Sequence, residues 1–211
     1  MRATDFINIY CEQETPVDEA VNDPYIFKAV FLAGGPGSGK SFINKNLMTQ
    51  FGGMRTINSD KAFEALMKKA NLSLKMPDDE TEPRDAVRGR AKEVFNKQQE
   101  LAQTGRLGMI IDGTGAKFDQ IAQLNTRLLE LGYETAMVFV NTDLETALAR
   151  NAKRTRTVPQ EIATDSWKNV QKNIGKFQQV FGSEMFVIDN SEDSDVMQRI
   201  QEVEKTMRKF L

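Results

Sequence analysis

Histidine is missing altogether from this 211-residue chain, and cysteine occurs once, at Cys11. The first absence removes every mechanism built on an imidazole base, from the Ser-His-Asp triad to His-ligated metals. The second removes a disulfide framework and a Cys-built zinc site, and suits a reducing cytoplasm. Acid–base work must therefore fall to Asp, Glu, Lys or Tyr. Long apolar runs are missing too, none approaching the roughly 20 residues of a membrane-spanning helix. Met1 is followed by Arg2 and Asp5 with no apolar leader, so neither a membrane span nor a secretory signal is expected. Nor is positive charge in excess. With 28 basic against 30 acidic residues the net charge is −2, which argues against a general nucleic-acid-coating protein.

What is present reads as globular and cytoplasmic. Hydrophobic residues at 40% and charged residues at 27% can build one sizeable core, and the length suits roughly one domain. Charge is nevertheless unevenly spread. Residues 1–26 hold six acids against Arg2, whereas residues 141–176 hold seven bases against four acids. The expected organisation is an acidic N-terminal extension over 1–26 and a compact domain over 27–211.

From Phe27 onward short apolar runs alternate with helical segments. The runs at Phe27–Ala33, Met54–Asn58, Leu107–Ile111, Tyr133–Val140 and Met185–Ile188 read as buried strands. Between them lie helical patterns, several closed by glycine, as at Gly105 and Gly132. Residues 71–83, with Pro77 and Pro83, read as an exposed loop, and the next helix as starting at Arg84. Alternation of this kind implies parallel strands joined by right-handed crossovers. The predicted fold class is an α/β three-layer sandwich with a parallel sheet of about five strands, and Gly34–Ser41, which fits G-x-x-x-x-G-K-[ST] between the first strand and a helix, makes it the P-loop NTPase type. Ligands in such sheets sit at the carboxyl ends of the strands.

The segment Gly34-Gly35-Pro36-Gly37-Ser38-Gly39-Lys40-Ser41 fits G-x-x-x-x-G-K-[ST] without a mismatch, directly after the first strand and at the start of a helix. Glycines let successive backbone N–H groups face inward and form an anion nest at a helix N-terminus. Lys40 then reaches the β- and γ-phosphates, and the Ser41 hydroxyl can ligate Mg²⁺. ATP is thus expected to bind along Gly35, Pro36, Gly37, Ser38, Gly39, Lys40, Ser41 and Phe42.

Two strand-end carboxylates are candidates for the chemistry. Asp60 closes Ile57-Asn58-Ser59-Asp60 on the predicted rim, and without histidine it is the natural group to accept a proton from an attacking hydroxyl. Its competing reading is a helix N-cap, a role Ser59 could equally fill. Asp112 closes Met109-Ile110-Ile111-Asp112 and suits a Mg²⁺-holding carboxylate, against a plain strand-to-helix turn. Arg150, Lys153, Arg154 and Arg156 precede Val158-Pro159. Arg150 and Arg154, four residues apart, share one helix face. The cluster reads either as bases complementing a helix dipole or as a lid at about 150–159 that neutralises the transferring phosphoryl group.

On these residues the sequence resembles the zeta toxin and polynucleotide 5′-kinase branch of P-loop kinases, over about residues 27–190. Gly34–Ser41 is similar to the phosphate loop of that branch, and Asn58-Ser59-Asp60 to the place of its catalytic aspartate. Ile111-Asp112-Gly113-Thr114-Gly115 is similar to the segment where zeta toxins carry Glu before Gly-Thr, and Arg150 through Pro159 to the arginine-bearing lid. The resemblance implies an ATP- and Mg²⁺-dependent kinase, with Asp60 as general base and Lys40, Arg150 and Arg154 supplying charge. Its acceptor would be a hydroxyl of a nucleotide sugar, a nucleoside or a nucleic-acid 5′ end. It also implies an inhibitory protein partner. The competing function classes are a P-loop ATPase switch and a toxin-derived binding module without a small-molecule acceptor.

Overall fold

The computed structural model describes residues 25–75, 77–154, 157–192 and 194–211. The acidic segment anticipated over 1–26 lies, through residue 24, outside the described residues, and so does Arg156. Five strands form one sheet: β1 (Lys28–Ala33), β2 (Arg55–Asn58), β3 (Met109–Asp112), β4 (Glu134–Asn141) and β5 (Met185–Asp189). Their order is β2-β3-β1-β4-β5, and every pairing is parallel. The helices are α1 (Lys40–Leu47), α2 (Ser59–Lys69), α3 (Thr81–Thr104), α4 (Phe118–Glu130), α5 (Leu144–Ala152), α6 (Gln160–Phe181) and α7 (Val196–Phe210). The α/β class and the five-stranded parallel sheet are those anticipated from the sequence.

The strands are near-continuous apolar runs because helices cover both faces of the sheet. Along β1 the side chains alternate. Ala29, Phe31 and Ala33 enter one core with Met137, Phe139 and Phe177, whereas Val30 and Leu32 enter the other with Ile43, Leu47, Val138 and Met207. The first core is closed by α4, α6 and the end of α3, and the second by α1 and α7. Fully buried Phe177 stacks at a tilt on Phe118 and Phe139, with ring centroids 5.4 and 6.3 Å away. Truncating such a side chain to alanine costs roughly 3–5 kcal/mol. A separate cluster of Ala62, Phe63, Leu66, Met67, Val87 and Ala91 joins α2 to α3. Among the described residues, no helix is long and apolar enough to cross a membrane.

Two boundaries depart by three residues or more from the sequence reading, which runs the first helix over Ser41–Phe51 and starts the third at Arg84. Helix α1 stops at Leu47, and Met48–Gln50 tightens into a 3₁₀ turn before Gly52-Gly53. Helix α3 starts at Thr81 and contains Pro83 in its first turn. A proline costs no hydrogen bond there, because first-turn N–H groups have no intrahelical acceptor.

The topology sets the site. Strand β1 leads through α1 on one face of the sheet, and its neighbour β3 leads through α4 on the other. The connections diverge between these two strands, which opens a crevice above their carboxyl ends.

Candidate functional site

The turn after β1 is held in conformations that only glycine adopts without strain. Gly37 and Gly39 have φ of 79° and 87°. A Cβ at Gly37 would lie 2.0 Å from the main-chain oxygen of Ala147, and one at Gly39 would lie 2.1 Å from Asn190 Nδ2. The loop thus presses directly on α5 and on the end of β5. Helix α1 then starts at Lys40 with Gly39 as its N-cap, no side-chain cap and no acidic residue in its first turn. Its positive end faces the crevice without a competing anion, the condition for binding phosphate there. Lys40 Nζ donates to the main-chain oxygen of Gly34 at 2.6 Å, which folds the ammonium back over the loop.

Of the two carboxylates expected at strand ends, Asp112 ends β3, whereas Asp60 lies in the first turn of α2, two residues past β2. Parallel register sets Asp112 of β3 opposite Leu32 of β1 and Asn58 of β2. Asn58, rather than Ser59 or Asp60, is the N-cap of α2, with Oδ1 accepting from the Asp60 N–H at 2.6 Å. That leaves Asp60 in the first turn with an exposed side chain on the crevice. Burial pushes the Asp112 carboxyl above its ordinary value, and the Asp60 carboxylate adds to the rise. Lys40, the Asn58 hydrogen bond and Lys61 pull in the opposite direction. The raised direction has desolvation as its largest cause.

A third group of residues fastens the loop from behind. Buried Asn190 donates through Nδ2 to the main-chain oxygen of Ser38 at 2.8 Å. Its own main-chain oxygen accepts from Arg150 Nη1 at 2.6 Å and from the Thr142 hydroxyl at 3.1 Å. Trp167 Nε1 of α6 donates to the Thr142 main-chain oxygen at 2.9 Å. Asn58, Asn190 and Trp167 are absent from the sequence-level site. No motif marks them, because their roles depend on which strand ends become neighbours.

One cavity of about 900 Å³ gathers the candidates: Gly35, Gly37, Gly39, Lys40, Ser41, Phe42, Asp60, Asp112, Arg150 and Arg154 all line it. Ser38 is buried beneath the loop, and Pro36 is half-buried in it. Arg150 lies in α5, and Arg154 lies just past the helix's end at Ala152, yet both reach the same wall. Met48, Phe51, Met54, Lys61 and Glu64 line the same cavity. The cavity therefore brings together a glycine loop at a helix N-terminus, two carboxylates and two arginines.

The family described as AAA domain matches this chain over residues 30–176. Among curated proteins, none matches in sequence. Several solved structures share the fold. The chain is similar to the PezAT chromosomal toxin–antitoxin system of the human pathogen Streptococcus pneumoniae at 17% identity, covering 100% of this chain and 94% of that one, with a TM-score of 0.59. It is similar to a deoxyadenosine kinase from M. mycoides with bound dATP at 18% identity, covering 85% of this chain and 98% of that one, with a TM-score of 0.52. To the AvrRxo1-ORF1:-ORF2 complex with ATP the identity is 14%, covering 80% of this chain and 56% of that one, with a TM-score of 0.62. At these identities the likeness is one of fold.

Proposed function

The chain belongs to the AAA domain family, and on that premise we propose that it is an ATP- and Mg²⁺-dependent phosphotransferase. It moves the γ-phosphoryl group onto a hydroxyl of a nucleotide sugar, a nucleoside or a nucleic-acid 5′ end. The observation that carries this reading is the convergence of the phosphate loop, Asp60, Asp112, Arg150 and Arg154 on one cavity. The cavity's volume of about 900 Å³ supports an acceptor beside ATP, and the dATP-bound deoxyadenosine kinase supports a nucleoside among the candidates.

The residues present fit Mg²⁺. Ser41 and Asp112 are hard oxygen donors lining the same cavity, and among the described residues no group of three or more acidic or sulfur side chains could hold a metal by itself. That donor set suits a cation bound through one or two protein oxygens, with phosphates and waters completing its shell. When bound, Mg²⁺ supplies neutralisation of phosphate charge. Lys40 and the loop amides orient the phosphates, and the arginines offset charge on the transferring group. Asp60 takes the proton from the acceptor hydroxyl as its oxygen bonds to the γ-phosphorus and the bond to ADP breaks. Water exclusion falls to the α5 end, which carries Arg150 and Arg154 over the loop.

Lys40→Ala tests the reading. ATP turnover should be lost while the protein stays folded, its ligand-free stability lower by no more than about 1 kcal/mol for the hydrogen bond to the Gly34 oxygen, since the Lys40 side chain faces the loop rather than either core. Normal turnover in a folded Lys40→Ala protein overturns the assignment.

A further inference from the structure

Asn58 occupies a junction that the phosphotransferase reading does not itself use. It ends β2 directly beside Asp112 of β3, and its backbone, at φ −145° and ψ 117°, is still extended. The planar amide spends both ends at once. Nδ2 donates to Asp112 Oδ2 at 2.6 Å, and Oδ1 accepts from the Asp60 N–H at 2.6 Å. The network fixes the amide's orientation, because the Asp60 N–H can only donate and an ionised carboxylate can only accept. No other side chain of this reach does both. Aspartate would cap the helix but present a second carboxylate to Asp112. Serine would cap it but stop short of Asp112, and leucine would do neither.

We propose that Asn58 is a positioning residue that aims the Asp112 carboxylate at the phosphate rim and ties it to the α2 turn carrying Asp60. The proposal rests on the phosphotransferase reading, in which Asp112 holds Mg²⁺. Through one amide the metal-holding strand end and the acceptor-side helix share a common anchor. The anchor thereby holds the start of α2, and Asp60 with it, against the end of β3. Outer-shell hydrogen bonds to metal-holding carboxylates act in this way, and removing one typically costs 10–100-fold in metal affinity or activity.

The test compares Asn58→Ser with wild type by calorimetric ATP titration in Mg²⁺ and in EDTA, alongside ligand-free melting. Serine is as good a cap as asparagine, so the ATP affinity in EDTA should stay at the wild-type value, and the ligand-free melting temperature should fall only by the lost hydrogen bond to Asp112. The affinity gained on adding Mg²⁺ should fall about 10-fold or more, and kcat should fall with it while the acceptor KM holds. Asn58→Ala, which also loses the cap, should show the same magnesium defect with a melting temperature lowered further. An Asn58→Ser protein that keeps the full magnesium-dependent gain overturns the proposal and leaves the phosphotransferase reading standing. A wild-type protein whose ATP affinity ignores Mg²⁺ overturns that reading, and the role of Asn58 with it.

Discussion

Replacing Gly39 by alanine would set a methyl group against the clamp behind the phosphate loop. The added Cβ falls 2.1 Å from Asn190 Nδ2, so the amide must withdraw and release the Ser38 main-chain oxygen, now held at 2.8 Å. The backbone at φ 87° adds its own penalty, about 1–2 kcal/mol for an L-residue in the left-handed region. The lost hydrogen bond adds about 1 kcal/mol, rising to about 3 where the oxygen stays buried without a partner. Gly39→Ala should therefore cost roughly 2–5 kcal/mol, and Asn190→Ala about 1–3 kcal/mol. In the double variant there is no amide to displace, and the hydrogen bond is lost only once. Its cost should fall short of the sum of the single costs by about 1–3 kcal/mol. Urea unfolding of the four nucleotide-free proteins measures this cycle. Additivity within about 0.5 kcal/mol would refute the clamp.

Asp112→Asn should raise ligand-free stability while removing the magnesium-dependent part of ATP binding. Burial holds the carboxyl above its ordinary value of 3.8. The ionised form is thus disfavoured by folding, and stability is lost as pH rises through the folded-state pKa. Thermal melts in EDTA should show the variant's gain at pH 7 fading as pH falls toward 3.8, and a loss at pH 7 would contradict this. Arg150→Ala and Arg154→Ala should each be assayed at saturating ATP, and at least one should lose about 10²-fold or more in turnover, the direction set by arginines on phosphoryl transfer. Arg150→Ala should also melt lower, because it releases the Asn190 main-chain oxygen, whereas exposed Arg154 should leave melting unchanged. Near-normal turnover in both would reduce the cluster to a helix terminus.

The sheet and the cradle were legible in the sequence because both follow local rules. Buried parallel strands must be apolar on both faces, so Ala29–Ala33 and Ala136–Val140 declare themselves. A phosphate loop needs glycines where no Cβ fits, as the contacts at Gly37 and Gly39 show. Asp112 was legible as an acid closing an apolar run, whereas Asp60, expected at a strand end, lies in the first turn of α2. The cap of α2 was misplaced by one or two residues, since Asn58, Ser59 and Asp60 are all competent and only the β2–β3 register selects Asn58. Long-range fastenings left no local trace. Asn58 meets Asp112 across 54 positions and Asn190 meets Ser38 across 152. A lone asparagine after a strand looks like any turn residue until the strand order is known. Pro83 misled for a different reason: its cost depends on position within the helix, which the sequence did not set.

Phosphoryl transfer from γ-labelled ATP tests the central claim most directly, with UDP-sugars, nucleosides and 5′-hydroxyl oligonucleotides offered in parallel to wild type and Asp60→Asn. The account predicts label on a hydroxyl of one acceptor class, with Asp60→Asn slower by about 10²-fold or more at unchanged ATP affinity. Label released only as inorganic phosphate, at a rate no acceptor alters and Asp60→Asn does not slow, would contradict it.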